Sequence, residues 1–420
     1  MANVLAVSQL VADEALLEFS DMTPMISMGG KLPDKQFKET MYAPGLTVSV
    51  PKQNILLAGE GLTATDQYLQ EESVPVTVGQ LINVMIPFNS LEELLEVGSP
   101  TLKLSTGWKI RVLIPAMQAL RAKLEARVVN QMLLSYYMST GTVGTPINGL
   151  ASFANARVLT DLMEIQADEL VSFINQYSYA TVSTGVSNVF NQQFNNPILR
   201  DLNLARLGDY GLAKSNYISQ TNYGDAAVGN SVTVKTSSTE GDATIVLTGI
   251  TSGSTLKAGA RFRISTGSDY IKYVTPNGKV TTQSPIDFVV QADATKSGSD
   301  ITVTVASGSN GALIRGTPGQ PRQVMSRLPA AGDVVHFLCD GTTGNATNTY
   351  CVNPMGSYSL IGLRLPQLEG AANSASVDDV SQMAVRTVVQ GAIQTSVNRF
   401  RVDIAPIVAC YADYGNVIIS

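Results

Sequence analysis

Histidine is almost absent from this chain, which has a single one, His336, in 420 residues. Zinc sites usually take several His or Cys ligands, and most nucleophilic triads use a histidine base. His336 lies within the apolar run Val334–Leu338, which predicts a buried strand and a structural role for the imidazole. The scarcity of histidine therefore argues against zinc chemistry and against triad catalysis.

Cysteine is also scarce, and its pattern excludes a disulfide scaffold. The chain has 3 cysteines, Cys339, Cys351 and Cys410, an odd number without CxxC spacing. Disulfide-stabilised domains and structural zinc sites carry denser, regularly spaced sets. We expect reduced, mostly buried thiols of a cytosolic protein.

Charged residues are few, at 15% of the chain, against about 25% in an average soluble protein. The 28 Lys and Arg against 34 Asp and Glu give a net charge of −6. A dedicated nucleic-acid binder needs a basic surface to neutralise phosphates. The sequence therefore predicts a protein that can lie near DNA without binding it tightly. It also predicts that much of the neutral surface is buried in contacts with partners.

Long hydrophobic runs and targeting signals are missing as well. No stretch approaches the ~18 apolar residues of a membrane span. The N-terminus has no basic region, and Asp13 and Glu14 interrupt any apolar segment. We expect neither a membrane segment nor a signal peptide.

Motifs that carry chemistry are weak or absent. The chain has no GxSxG, P-loop, HExxH or EF-hand pattern. The segment Gly59–Ala64 matches a dinucleotide fingerprint, but no helix follows it, which favours a hairpin tip. The acidic clusters Glu71–Glu72, Glu92–Glu96 and Asp378–Asp379 are interpreted as solvated faces. We expect no catalytic, cofactor-binding or metal site.

The first hundred residues predict an arm followed by an extended loop. Apolar residues at helical spacing within 2–20 predict a short amphipathic helix in an arm. Alternating residues at 46–51 and 73–78 predict two strands, which prolines confine to edges or bulges. An isolated hairpin is marginally stable in water. We therefore expect arm and loop to bury their apolar residues against something outside their own subunit.

Helical periodicity dominates the middle of the chain. The clearest helix is predicted over 115–138, about 36 Å long at 1.5 Å per residue, and Trp108 ahead of it is interpreted as a packing anchor. Further helices are predicted at 151–175 and 196–207. Residues 229–346 are rich in Ser, Thr, Gly and Val. Their short strands and frequent turns predict an inserted small barrel or sandwich. Further strands are predicted at 358–365, 400–404 and 416–419, and 377–389 is predicted as a weaker helix or strand.

Several stretches resemble one family in the same chain order. The chain is similar to the major capsid protein of tailed double-stranded DNA bacteriophages, most closely to the short-tailed-phage coat subfamily with an inserted β-barrel domain. The stretches that carry the resemblance are Glu72–Val78 with Phe88–Ser90, Pro115–Leu120, Leu256–Ile264, Phe288–Thr295 and Tyr350–Pro366.

The resemblance implies an α+β capsid fold. Its parts would be an N-terminal arm at 1–40, an extended loop at 41–98, peripheral and axial domains at 99–228 plus 347–420, and an inserted β-barrel at 229–346. It also implies no enzymatic activity. Copies would assemble as hexamers and pentamers into an icosahedral head, guided by an internal scaffolding protein and with a portal at one vertex. The shell would hold double-stranded DNA non-specifically, in a virion assembled in the host bacterial cytoplasm.

Contacts between subunits are expected on the extended loop. Glu71 and Glu72 stand beside the returning strand, and Val76 and Val78 lie on it. The alternatives are a surface adhesin or glycan-binding β-domain protein, suggested by the Ser/Thr/Gly-rich insert, and, with less support, a carboxylate-based hydrolase. The missing export signal and the aromatic content of 6% argue against the adhesin, since sugar sites usually use stacking rings.

Overall fold

A computed structural model describes most of the chain as a mixture of helices and sheets, so the fold class is α+β. The described residues are 9–18, 45, 47–51, 55–56, 73–77, 79, 81–88, 103–147, 149–164, 170–187, 206–207, 209–218, 221–251, 253–307, 311, 313–339, 346–348, 350–354, 358–363, 365–366, 372–377, 384–392 and 397–420.

The helices are α1 (9–18), α2 (Ile114–Ser135), α3 (Gly149–Leu162) and α4 (Gln176–Ser187). The strands are β1 (Thr47–Pro51), β2 (Ser73–Thr77), β3 (Ile82–Phe88), β4 (Ser139–Gly141), β5 (Leu170–Ile174), β6 (Arg206–Leu207), β7 (Tyr210–Lys214), β8 (Thr221–Gly224), β9 (Thr233–Val234), β10 (Thr244–Thr248), β11 (Thr255–Leu256), β12 (Arg261–Thr266), β13 (Asp269–Tyr270), β14 (Lys272–Val274), β15 (Thr281–Pro285), β16 (Phe288–Val289), β17 (Ala294–Thr295), β18 (Ile301–Thr304), β19 (Val334–Phe337), β20 (Ala346–Asn348), β21 (Tyr350–Asn353), β22 (Tyr358–Gly362), β23 (Ala372–Val377), β24 (Ala384–Ala392), β25 (Val397–Ile404), β26 (Pro406–Cys410) and β27 (Asn416–Ile419).

The chain divides into two compact units, each built from separate segments. Unit 1 comprises Met1–Val50, Pro75–Val128 and Tyr358–Ala409. Unit 2 comprises Pro51–Val74, Val129–Ser357 and Cys410–Ser420.

Unit 1 is organised around an antiparallel four-stranded sheet in the order β23-β24-β25-β3. Alternation gives this sheet one apolar face, on which Phe400, Val402 and Ile404 of β25 are buried. Trp108 is also buried, and its ring meets that of Phe400 edge-on with centroids 6.3 Å apart. The prediction that Trp108 is a packing anchor is confirmed.

The long helix begins close to where the sequence predicts it, although its first turns are not regular. A single turn at Thr106–Trp108 leads into a π-helical segment, Lys109–Leu113, and then into α2. Pro115 has no N–H to donate back along the helix, so the α-helical ladder is interrupted near this point. The apolar positions that define the helix, among them Met117, Leu120 and Leu124, are buried.

Unit 2 contains a six-stranded mixed sheet in the order β4-β27-β21-β5-β7-β6. A buried polar network fixes α3 on this sheet. The side-chain amide of Asn416 in β27 donates to the Ala156 carbonyl at 3.1 Å, and the hydroxyls of Thr160 and Tyr210 lie 2.8 Å apart. Burial raises the pKa of the Tyr210 phenol. These polar groups can be buried because each has a partner.

Residues 233–337 supply every strand of a second sheet in unit 2. Its seven strands follow the order β13-β12-β19-β9-β10-β18, with β16 also paired to β12. The Phe262 ring stacks on Phe288 at 5.5 Å and meets Phe337 edge-on at 5.8 Å. The strands predicted within this region are confirmed. Among the described strands no hydrogen-bonded pairing joins the two ends of the sheet, so closure into a barrel stays a prediction.

One predicted helix is wrong in its second half. The helix expected at 151–175 ends at Leu162, and Leu170–Ile174 is the buried strand β5. A short apolar run fits a buried strand as well as a helix, and periodicity does not separate the two. Of the helix predicted at 196–207, residues 196–205 lie outside the described residues, while Arg206–Leu207 is strand β6.

Helix α4 has little signal in the sequence, because Ser, Thr and Val make up much of it. Its start is capped by Asn175, whose side-chain oxygen accepts a hydrogen bond from the Ser178 amide at 2.6 Å. Asn is a favoured N-cap, so this residue was the one available sign of the helix. Burial of Tyr179 and Val182 supplies the rest of its stability.

Candidate functional site

Within the extended loop predicted at 41–98, β1 and β2 form a two-stranded ribbon. The rest of the prediction is wrong for β3, which lies in the same range but pairs with β25 in the four-stranded sheet and buries Ile82 and Ile86. The side-chain hydroxyls of Thr47 and Thr77, at matching ends of the ribbon, lie 3.5 Å apart. Ser49, Pro75 and Thr77 are exposed. Two strands alone are marginal in water, so this ribbon, like the other two-stranded sheets among the described residues, would gain stability from an added surface.

The candidate contact residues are only partly described. Val76 is half-buried on β2, whereas Glu71, Glu72 and Val78 lie outside the described residues, as does the hairpin tip predicted at 59–64. Val50 at the end of β1 is fully buried within the single chain. The expectation that the loop cannot bury its apolar residues within its own subunit is therefore wrong for Val50.

The arm also packs on its own subunit, contrary to expectation. In α1, Val11, Ala12 and Ala15 are completely buried. Lys109 of the π-helical turn donates to Glu14 at 2.7 Å and lies 2.8 Å from Glu18.

These two contacts raise the pKa of the Lys109 ammonium, the hydrogen bond to Glu14 most and that to Glu18 next. Partly exposed pairs of this kind contribute about 0–1 kcal/mol each. Burial of apolar side chains therefore stabilises the docked position of α1 more than the two ion pairs do.

Helices α3 and α4, which pack against each other, leave large apolar side chains in water. Leu150 and Val158 on α3 are 48% and 54% exposed, and Tyr177 at the start of α4 is 88% exposed. Leu150 and Val158 are separated by eight residues, about two helical turns, so they share one face. Contiguous exposed apolar patches are typical of interaction surfaces, whereas apolar side chains exposed singly are normal.

The histidine and the cysteines, which are the residues that could carry chemistry, have contacts typical of residues with a structural role. His336 is half-buried on β19, its Nε2 lies 2.8 Å from the Ser265 hydroxyl, and its ring meets Tyr270 edge-on. None of the three cysteines, all of which lie in the described part of the chain, forms a disulfide. Burial raises the pKa of Cys351 and Cys410 to about 12, which suppresses the reactive thiolate at neutral pH.

Neither a metal centre nor a membrane span is found in the part of the chain that the structure describes. There, no group of three or more His, Cys, Asp and Glu side chains could hold a metal ion. No helix among those residues is both long and apolar enough to cross a membrane.

Comparison with known proteins gives structural similarities at very low sequence identity. No protein-family model matches the chain, and no curated protein matches it. A structure of Mycobacterium phage Che8 is similar at 7% identity and a TM-score of 0.43, covering 94% of this chain and 91% of that one. The capsid structure of the cyanophage P-SCSP1u is similar at 8% identity and 0.40, covering 94% and 87%. A virus-like particle from Pyrococcus furiosus is similar at 8% identity and 0.35, covering 97% of both chains. With every TM-score below 0.5, none of these similarities carries a functional assignment.

Proposed function

We propose that the protein is a structural subunit that assembles with copies of itself into a closed shell. Specifically, it is the major capsid protein of a tailed double-stranded DNA bacteriophage, of the short-tailed-phage coat subfamily with an inserted β-barrel domain. It forms hexamers and pentamers of an icosahedral head, with an internal scaffolding protein and a portal as partners. The shell is assembled in the host bacterial cytoplasm and holds DNA without specific binding, which suits a net charge of −6.

The observation that supports this proposal is the order of unusual elements along the chain. A docked N-terminal helix, a two-stranded ribbon and a long helix follow one another, and a seven-stranded sheet built from residues 233–337 comes later. The ribbon suits a subunit that takes stability from neighbours, because two strands alone bury little surface. A shell multiplies such weak contacts through symmetry.

Electron microscopy of the purified protein in negative stain tests the proposal directly. We expect shells or rings of capsomers, in the presence of scaffolding protein if not without it. Isolated monomers at every concentration, with and without scaffolding protein, would contradict it and return the adhesin to consideration.

The domain boundaries follow from the same proposal. Strands β8 and β20, which precede and follow the inserted region, are antiparallel neighbours, with Thr221 opposite Asn348. Entry and exit strands that lie side by side are typical of an inserted domain. The arm at 1–40, the loop at 41–98 and the peripheral and axial parts at 99–228 plus 347–420 complete the proposed division.

We expect the excised fragment 229–346 to unfold in one cooperative thermal transition, because small single domains usually do so. Its core residues Leu247, Phe262 and Val303 are fully buried. The Phe262→Ala variant of the fragment tests whether the transition reports this core. It should lower the stability of the fragment by about 3–5 kcal/mol and shift or abolish the transition. A fragment with random-coil circular dichroism would contradict the domain assignment.

Contacts between subunits at the ribbon predict a charge-reversal effect. Changing Glu71 and Glu72 to Lys should leave subunit melting nearly unchanged, because exposed ion pairs contribute about 0–1 kcal/mol each. It should raise the protein concentration at which shells form, since the lost contact is repeated in every subunit. Light scattering of assembly against concentration, with scaffolding protein supplied, measures that threshold.

A control with the same change of net charge separates a local contact from general repulsion. Asp209→Lys with Asp269→Lys reverses two charges whose side chains are 62% and 69% exposed elsewhere on the subunit. An equal shift of the threshold in both double variants would remove Glu71 and Glu72 from the interface. A large drop in melting temperature for the Glu71 and Glu72 variant would assign them to the interior of the subunit.

A further inference from the structure

The C-terminal end of the long helix receives its hydrogen-bond donors from the inserted sheet. The last carbonyls of a helix have no partners within it. Here the Leu133 carbonyl accepts from Arg261 Nη2 at 2.8 Å, and the Leu134 carbonyl accepts from Gln291 Nε2 at 2.9 Å. The Ser135 carbonyl accepts from the Gly311 amide at 3.1 Å. Arg261 lies on β12, Gln291 follows β16, and Gly311 lies between β18 and β19. The folded region as a whole, and not a single turn, therefore provides this cap.

The contacts continue along the chain after the helix ends. The Tyr137 carbonyl accepts from the Asp287 amide at 2.9 Å. Arg263 Nη2 lies 3.1 Å from the Ser139 hydroxyl and 3.3 Å from the Ser139 carbonyl. Five of the seven residues from Leu133 to Ser139 therefore accept hydrogen bonds from residues of the inserted region.

An arginine–aspartate cluster lies at the centre of these contacts. Arg261 and Asp287 are both 0% exposed, with Arg261 Nη1 3.6 Å from Asp287 Oδ2, and Arg263 Nε lies 2.8 Å from Asp287 Oδ1. A buried charge is tolerated only when it is paired. The cluster as a whole carries one excess positive charge, which suits the negative end of the helix dipole.

We infer that the cluster of Arg261, Arg263 and Asp287 is a joint that makes the inserted sheet the C-terminal cap of α2, so that helix end and sheet open together in the intact subunit. This inference concerns the single subunit and holds whether or not it assembles. The cluster also explains why the proposed insert has one orientation on the helix. Several hydrogen-bond donors and one charge of the insert must match carbonyls whose positions are fixed by α2.

Native-state hydrogen exchange on the full chain in increasing denaturant tests the joint. The reporter for the helix end is the Tyr136 amide, which donates to the Met132 carbonyl at 3.0 Å. The reporters for the sheet are the amides of Lys235 and Val305, which donate to Val246 and Ala243 at 2.8 Å. In the unmodified protein we expect all three to share one opening, with the same denaturant dependence. Independent opening of Tyr136, with a smaller dependence, would overturn the inference.

The Asp287→Asn variant should separate the two sets of amides. Loss of the carboxylate leaves the buried Arg261 without its counter-ion, so the joint opens first. We expect Tyr136 to exchange at least about tenfold faster relative to Lys235 and Val305, since removing one partner of a buried pair is costly. An unchanged ratio would contradict the inference.

Asp333→Asn is the matched control. Asp333 is 5% exposed and is paired with Arg327 at 2.6 Å, and both residues lie within the inserted region. It should weaken the sheet and accelerate exchange at Tyr136, Lys235 and Val305 by the same factor. Acceleration confined to Lys235 and Val305 would show that sheet and helix end are not coupled.

Gln291→Ala covers the case in which Asp287→Asn does not fold. It removes the donor to the Leu134 carbonyl together with the hydrogen bond from the same Nε2 to the Val289 carbonyl at 3.0 Å. It should accelerate Tyr136 about five-fold relative to Lys235 and Val305, in line with one ordinary hydrogen bond. No relative change in this variant would count against the joint.

Discussion

Asp403→Asn is expected to destabilise unit 1 by about 3–5 kcal/mol, because it removes one partner of a buried ion pair and leaves the other uncompensated. Asp403 is completely buried on β25, between two arginines. Arg386 Nη2, itself 5% exposed, lies 2.6 Å from Asp403 Oδ2, and Arg401 Nε lies 2.6 Å from Asp403 Oδ1. Chemical denaturation followed by hydrogen exchange at β24 and β25 measures the loss of stability.

The control for this variant is Asp269→Asn. Asp269 is 69% exposed and paired with Lys272 at 2.9 Å, so its loss should change stability by no more than about 1 kcal/mol. A loss below about 1 kcal/mol for Asp403→Asn as well would show that the cluster around Asp403 is not what holds β24 and β25 together.

Gly141→Ala is expected to destabilise unit 2 by about 2–5 kcal/mol, through two separate causes. Gly141 has φ +102°, a conformation that costs an alanine about 1–2 kcal/mol. A Cβ there would also lie 2.2 Å from the Ile419 carbonyl oxygen, and overpacking of this kind costs about 1–3 kcal/mol. Because Gly141 is paired with Ile419 between β4 and β27, the clash can be relieved only by separating these strands.

Gly267→Ala isolates the first cause. Gly267 has φ +76°, and nothing lies within 4 Å of an added Cβ, so only the conformational cost of about 1–2 kcal/mol applies. Thermal and chemical unfolding of both variants gives the difference. Equal losses for Gly141→Ala and Gly267→Ala would mean that β4 and β27 accommodate the methyl group without separating.

The two units use buried charge in the same way. In each, a fully buried aspartate joins one buried arginine to a second, more exposed one: Asp403 with Arg386 and Arg401, and Asp287 with Arg261 and Arg263. Such clusters add little net stability compared with apolar packing, but they penalise alternative arrangements in which a charge is left unpaired. In a chain with only 15% charged residues, part of that small set of charges therefore serves the interior of each unit.

Docking of the arm on its own subunit limits the surfaces that are left for contacts between subunits. The described part of the arm, α1, is already docked through buried Val11, Ala12 and Ala15. Under the proposed function, contacts between neighbours are then left to the ribbon and to other exposed surfaces, such as the apolar side chains of α3 and α4.

The sequence by itself determined the elements whose signal is local. Apolar residues at steps of three and four define the long helix, and short alternating runs between glycine-rich turns define the strands between residues 233 and 337. Both patterns act over a few residues, so neighbours along the chain are sufficient to specify them. The resemblance to capsid proteins likewise depends on the linear order of such segments.

Only the tertiary structure decided the features that join distant residues. Leu170–Ile174 is a strand because it pairs with β7 and β21, and α4 is a helix because Tyr179 and Val182 find a buried site. The hydrogen bond from Arg261 to the Leu133 carbonyl joins residues 128 positions apart, and no local pattern in either segment predicts it. Helix and strand patterns depend on short-range spacing, whereas capping and charge pairing depend on which surfaces meet, and that is settled when the whole chain packs.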